Sequence, residues 1–212
     1  MALHRGPKII TDGLVLCLDA ADRKSYSGSG TIWYDRSGNK NNATLTGSPI
    51  NNGNKFYMNG SSQFAEVTLA TGTARTVDIV YKLYNPAGGY GPLWRTQDWC
   101  ERIFSSSINV IPSSSTYYYV YGPDSSTSII NIAYSFNGTS LKSYKNGSLI
   151  SDVTMNSSMI SSTYSYRFGN QSSGSTNAYI EMDLYYVRFY NRQLSNAEVL
   201  QNFTAQRGRF GI

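Results

Sequence analysis

The chain has 212 residues, only 15% of them charged, with a formal net charge of +5. Its polarity comes from Ser, Thr, Asn and Gly beside 18 Tyr, which excludes a disordered chain poor in aromatics and points to β-strands rich in hydroxyls and rings. The length suits one sandwich domain spanning 1–212, able to bury roughly 70% of its unfolded surface without a disulfide or metal staple.

The basic residues are scattered, and no nucleic-acid motif appears, so no nucleic-acid partner is expected. Two cysteines, Cys17 and Cys100, are no disulfide framework. Cys17 sits in an apolar run, so buried free thiols are the first expectation, with a Cys17–Cys100 bridge left open. A single His makes a zinc site unexpected. The first residues lack an apolar signal core, and no stretch reaches membrane-spanning length. The chain is therefore expected to be soluble, made without export and not inserted in a membrane.

In chain order, Ile9 to Leu18 is the first β-run, broken by Asp12-Gly13. A polar loop, Asp19 to Gly30, leads to Trp33-Tyr34-Asp35-Arg36-Ser37-Gly38-Asn39-Lys40-Asn41-Asn42. Its Asp, Ser, Gly and Asn are turn formers, and Trp33 is expected to anchor the loop on the core with its indole N–H satisfied locally. Lys55 to Met58 and Gln63 to Leu69 follow, joined through Asn59-Gly60, which reads as a hairpin. Arg75 to Tyr84 alternates as a half-buried strand should. Asn85 to Pro92 is a loop.

Arg102 to Ile111, Thr116 to Tyr121, Ser128 to Phe136, Leu141 to Tyr144 and Ser148 to Val153 read as further strands, with Asn137-Gly138 and Asn146-Gly147 as tight turns. The Asn-X-Ser/Thr triplets such as those starting at Asn59, Asn137 and Asn146, without a secretion signal, are read as by-products of a Ser/Asn-rich composition rather than glycan acceptors. Ser165 to Gly169 and Tyr179 to Tyr190 complete the β-rich body. One short helix of about two turns follows Ser195, with Glu198 closing a capping box and Leu194 stapled to Val199. Many short strands and one terminal helix imply two antiparallel sheets packed face to face, either jelly-roll or immunoglobulin-like.

Gly13-Leu14-Val15-Leu16-Cys17-Leu18-Asp19, the Trp33–Asn42 segment, the Ser140–Ile150 hairpin and Tyr186-Val187-Arg188-Phe189-Tyr190-Asn191-Arg192-Gln193-Leu194-Ser195-Asn196-Ala197-Glu198 together resemble a concanavalin A-like, laminin-G-like jelly-roll module. The tail Asn202–Ile212 resembles the ending of such modules in structural proteins of tailed phages, marine and cyanophage ones especially. The resemblance spans nearly the whole chain. It implies an all-β, two-sheet antiparallel jelly-roll sandwich of the concanavalin A-like lectin/glucanase fold with a short C-terminal helix.

Some glucanases of this fold carry Glu-x-Asp-x-Glu or Glu-x-Asp-x-x-Glu on one strand. Glu181-Met182-Asp183-Leu184-Tyr185-Tyr186 matches its first two carboxylates, but Tyr185 and Tyr186 stand where the third would be. A retaining mechanism needs two carboxyls about 5–5.5 Å apart, so no enzyme is expected. Related modules sometimes bind calcium, and Asp19, Asp22 and Asp35 are candidates. Calcium takes about six to eight oxygens, and the spacing here fits loop stabilisation better. No cofactor is expected beyond that open calcium question.

Aromatics carry the binding hypothesis. In Thr116-Tyr117-Tyr118-Tyr119-Val120-Tyr121, alternation puts Tyr117, Tyr119 and Tyr121 on one face. If Tyr118 and Val120 are core, those tyrosines line the outer surface. There they could stack on sugar rings or form a protein interface, although ordinary cross-strand packing fits too. Trp94 and Trp99, flanking Arg95 and Asp98, offer a second recognition surface. Jelly-roll termini usually lie close together, so Arg5 and Lys8 (with His4) could join Arg207 and Arg209 in a basic docking patch.

The resemblance implies a non-catalytic virion structural protein, displayed on the particle surface, decorating or cementing the capsid and docked as an oligomer on other capsid or fibre subunits. A carbohydrate-binding adhesin of a tail or head fibre, holding host-surface glycans, is the alternative, and a glycan hydrolase a remote third.

Overall fold

A computed structural model describes residues 7–85, 91–95, 101–103, 107–113, 116–121, 127–155, 161–173 and 176–212. The strands are β1 (Leu14–Asp19), β2 (Ile32–Trp33), β3 (Ala43–Thr46), β4 (Ile50–Asn51), β5 (Phe56–Asn59) and β6 (Phe64–Thr71). There follow β7 (Arg75–Leu83), β8 (Leu93–Arg95), β9 (Glu101–Ile103), β10 (Ser107–Ser113), β11 (Thr116–Tyr121) and β12 (Ile130–Phe136). The last are β13 (Ser140–Lys145), β14 (Ser148–Thr154), β15 (Ser162–Phe168), β16 (Asn170–Ser173), β17 (Thr176–Tyr179) and β18 (Glu181–Tyr190), before helix α1 (Asn196–Gln206).

Two antiparallel sheets stack face to face, as expected of a jelly roll. Sheet A runs β14-β13-β12-β7-β18-β5-β4, with β1 also on β18, and sheet B runs β11-β10-β9-β8-β15-β6-β3-β2. Strand β18 is the spine of sheet A. On one side it pairs with β7; on the other, Glu181–Leu184 pair with β5 and Tyr186–Tyr190 with β1. The handover is a bulge at Tyr185, which leaves Tyr185 and Tyr186 both packed on Phe210 outside the sheet. Between the sheets lies one continuous apolar core that includes Leu16, Trp33, Phe56, Ile79, Ile132, Phe168 and Phe189.

Strand β7 is buried along nearly its whole length rather than half-buried. Its second face is not solvated, because the chain ends cover sheet A. Ile10, Leu14, Leu194 and Val199 close over Tyr144, Tyr190 and Ala133. The ends are bound to each other: Ile10 N donates to Asn202 Oδ1 (2.8 Å), and Gln201 Nε2 donates to the Lys8 carbonyl (2.8 Å). Beneath them Asp78 accepts from Asn131, Tyr186 and Arg188, which gives this buried carboxylate its partners.

The Asn59-Gly60 signal is not a hairpin. Strands β5 and β6 belong to opposite sheets, and the turn between them carries the chain across the sandwich. Asn59 Oδ1 accepts from the amides of Ser61 and Ser62, and Gly60 adopts φ +66°. The dipeptide at 146–147 does close a two-residue hairpin, with φ of 48° at Asn146 and 76° at Gly147, as a type I′ turn requires. There a Cβ on Gly147 would come within 2.9 Å of the Phe203 ring and Cβ, so the turn abuts α1.

Helix α1 has the expected capping box, with Ser195 and Glu198 bonded reciprocally. It runs 11 residues, one turn beyond expectation, because its buried face continues through Asn202 and Phe203 onto sheet A. Trp33 is fully buried, as an anchor should be, but its Nε1 has no hydrogen-bond partner among the described residues. Its ring is held by an edge-to-face contact with Phe56 instead (4.8 Å). The polar side chain that organises this loop is Asp35. Its carboxylate accepts from the amides of Cys17, Ser37 and Asn41 and from the Ser37 hydroxyl.

Asp35→Ala therefore leaves the buried Cys17 amide and the part-buried Ser37 and Asn41 amides without this acceptor and should cost about 2–3 kcal/mol of stability, read as a lower midpoint in urea unfolding; an unchanged midpoint would contradict this account of the loop. Glu198 supplies a second expectation. The hydrogen bond from Arg192 outweighs partial burial and, with the Ser195 amide, brings the carboxyl to about 2 from an ordinary 4.5. A carboxyl depressed in the folded state stabilises above its unfolded value and loses that contribution as pH falls from about 4.5 to about 2. The melting temperature should drop through that window, and Glu198→Gln should reduce the drop.

Candidate functional site

Register across sheet B separates a core face from an outer face. Val120, Ile108, Ile103, Leu93, Phe168, Ala65 and Leu45 form one cross-strand row, and all are buried. The adjacent row is Tyr119, Asn109, Arg102, Trp94, Arg167, Glu66 and Thr44. Neighbours in register share a face and successive residues alternate faces, so Arg167, Glu66 and Thr44 of this second row lie on the outer side. Thr44 is exposed, and Glu66 and Arg167 are half-buried.

Around Arg167 the outer face holds an open groove of about 510 Å³, bordered by Lys40, Asn41, Thr44, Phe64, Glu66 and Thr68. The Arg167 guanidinium pairs with Glu66 and lies 4.8 Å from the centre of the Phe64 ring. Its Nη1 also donates to Asn170 Oδ1 (3.3 Å). Tyr179 stands beside Phe64, with ring centres 6.4 Å apart. Thr68 and Ser165 share a hydroxyl–hydroxyl hydrogen bond of 2.9 Å. The loop held by Asp35 supplies the Lys40, Asn41 and Asn42 side of the groove. A fixed guanidinium, a carboxylate, hydroxyls and a partly covered ring are groups that recognise a polyhydroxylated ligand.

Of the residues expected from sequence, Trp94 and Tyr119 fall in the Arg167 row, Trp94 directly opposite Arg167. Tyr121 pairs with Ser107, and Tyr117 lies in β11. Tyr118 and Val120 are core, which meets the condition set on the β11 alternation. The side chains of Trp94, Tyr117, Tyr119 and Tyr121, and all of Trp99, lie outside the described residues. Phe64, Glu66 and Arg167 went unpredicted. The alternation of Tyr164, Tyr166 and Phe168 against Ser165 and Arg167 was available in the sequence, but the pairing of that strand with β6 was not.

Lys8 and Arg207 are exposed near the joined chain ends, whereas Arg209 is bound to both oxygens of Asp19 (2.7 and 2.8 Å). Arg5 and Cys100 lie outside the described residues. Cys17 is a free buried thiol, which burial pushes up despite Arg188 nearby. Of the calcium candidates, Asp22 pairs with Arg36, Asp19 with Arg209, and Asp35 holds amides; no group of three metal-ligating side chains occurs among the described residues. Glu181 accepts from the Tyr57 hydroxyl (2.8 Å), and Asp183 from Lys55 (2.6 Å) and Tyr84 (3.0 Å).

No protein-family model matches the chain, and no curated protein does. Solved structures do. The binding domain of botulinum neurotoxin DC in complex with rat synaptotagmin II aligns at TM-score 0.68 and 14% identity, over 92% of this chain and 52% of that one. A botulinum neurotoxin type C structure, described as entering cells through two ganglioside molecules, gives 0.69 and 14%, over 92% and 51%. Trypanosoma rangeli sialidase in complex with sialic acid gives 0.66 and 15%, over 92% and 33%. The chain thus spans about half the length of the toxin chains. At these identities the likeness is one of fold: a lectin-like jelly-roll sandwich.

Proposed function

We propose that this chain is a non-catalytic recognition module that holds a glycan on the outer face of sheet B. The observation that carries the reading is the row in which Arg167 and Glu66 continue through Trp94 to Tyr119 across neighbouring strands. At the described end of that row the Arg167–Glu66 pair, the Thr44 and Thr68 hydroxyls and the Phe64 ring border one open groove, the usual chemistry of sugar recognition. Solved structures of similar fold include one linked to gangliosides and one holding sialic acid, which supports the ligand class. The sequence resemblance supports display on a tailed-phage particle, as an adhesin carried by a fibre. The engagement of Glu181 and Asp183 by Tyr57, Lys55 and Tyr84 supports the non-catalytic part.

Capsid decoration is the second reading. It draws on β14, the terminal strand of sheet A, whose Leu149 and Ile150 are exposed, 42% and 39%. An edge strand with apolar side chains suits contact with another subunit.

A glycan array probed with the purified chain separates these readings. The adhesin reading expects a defined set of glycans to bind, with Arg167→Ala and Tyr119→Ala each weakening binding about tenfold or more. Absence of binding across the array, with immunogold label spread over capsid faces, would replace it with decoration. Turnover of a polysaccharide panel that Glu181→Gln abolishes would overturn the non-catalytic reading.

A further inference from the structure

The sequence carries Asn-Gly four times, beginning at Asn52, Asn59, Asn137 and Asn146. A glycine after asparagine has no Cβ to shield its nitrogen and turns freely, so that nitrogen can close on the asparagine carboxamide. The fold treats the four differently. Asn59 Oδ1 accepts from the amides of Ser61 and Ser62. Asn137 Oδ1 accepts from Thr139 N, Thr139 Oγ1 and Ser140 N, and its Nδ2 donates to Gln193 Oε1. Asn146 Oδ1 accepts from Asn131 N (3.0 Å). Their glycines are enclosed as well. Gly138 and Gly147 are buried, and a Cβ on Gly60 would lie 2.9 Å from Glu181 N.

Asn52 differs on each count. It and Gly53 are both exposed, and its carboxamide makes no hydrogen bond to a described residue. A Cβ on Gly53 would meet nothing within 4 Å, so a ring formed there has room. The turn joins β4 to β5, with Asn52 N donating to the Lys55 carbonyl (3.1 Å) and Gly53 N to Asn51 Oδ1 (2.9 Å). Ring closure at Asn52 has to break the second of these, which is exposed to solvent and so opens at low cost.

We propose that Asn52 is the site at which the folded chain deamidates. Gly53 N gives up its proton to solvent and attacks Asn52 Cγ. A Cγ–N bond forms, the Cγ–Nδ2 bond breaks, and Nδ2 leaves as ammonia, with a succinimide left in the turn. Water then adds across one of the two imide C–N bonds and gives aspartate or isoaspartate. One water is consumed, one ammonia is released, and nothing is oxidised or reduced. The product lowers the formal net charge of +5 by one and puts a carboxylate beside Asn51, whose Nδ2 ties this turn to the Ala20 carbonyl (3.1 Å).

The test is peptide-resolved mass spectrometry of the full chain aged at mildly alkaline pH, once folded and once unfolded in urea. In the folded chain Asn52 should convert at least about tenfold faster than Asn59, Asn137 or Asn146, since their carboxamides must first leave their hydrogen bonds or enclosed turns. The rate at Asn52 should rise with pH, because the attacking nitrogen must lose a proton. In urea all four should convert at similar rates, since each is followed by the same residue. Equal rates among the four in the folded chain, faster conversion at any of the other three, or the same ranking in urea would each overturn the proposal.

Discussion

Glu101 is the carboxylate on which the two sheets meet. It is fully buried in β9 of sheet B and lies 3.0 Å from the guanidinium of Arg75, in β7 of sheet A. Tyr134 of sheet A donates to one of its oxygens (2.5 Å), and Tyr166 of sheet B donates to the other (2.9 Å). Arg75 in turn donates to the Tyr166 hydroxyl (2.6 Å) and lies over the Phe136 ring. Burying a charge pair is costly, and the cost is met only when each oxygen has its partners. Burial and the neighbouring carboxylate push the Tyr134 phenol well up, so it remains a donor. Apolar contacts between sheets tolerate sliding, whereas this polar cluster is directional.

That directionality reaches the outer surface. Arg102 follows Glu101 in β9, so fixing Glu101 also fixes the register that sets Arg102 opposite Trp94 and Asn109. β9 also links β8, which carries Trp94, to β10, which pairs with the tyrosine strand β11. Among the described residues, the far half of sheet B thus meets sheet A through this carboxylate as well as through the apolar core that holds Ile108, Val110 and Val120. Arg167 sits one residue from Tyr166 of the same cluster, and so the near half is positioned by it as well. The proposed recognition row is the outer side of the strands whose inner side converges on Glu101.

Much of this was legible locally. The capping box at Ser195, the Asn146-Gly147 hairpin and the bounds of β11 rest on chemistry contained within a few residues, and the sequence displays that chemistry directly. What failed depended on partners far along the chain. Asn59-Gly60 has the same dipeptide as the 146–147 turn, yet it joins strands of different sheets, and no local signal says which sheet a strand enters. β7 alternates like a half-solvated strand, and only the return of both chain ends over sheet A buries its second face. Trp33 was read correctly as an anchor, but its indole found a ring rather than an acceptor. The groove was illegible for the same reason: Glu66 and Arg167 lie 101 residues apart, and only register joins them. Asp183 reads from sequence as half of a catalytic pattern, while its partners Lys55 and Tyr84 flank β5 and β7, far from that pattern in the chain.

The most direct test of recognition on sheet B is an amide chemical-shift map of the folded chain titrated with an array-positive glycan. The account predicts perturbations concentrated at Thr44, Phe64, Glu66 and Arg167 and extending along the row toward Trp94 and Tyr119, with α1 and β14 unaffected. Perturbations confined to β14 and α1, or none at saturating glycan, would contradict it.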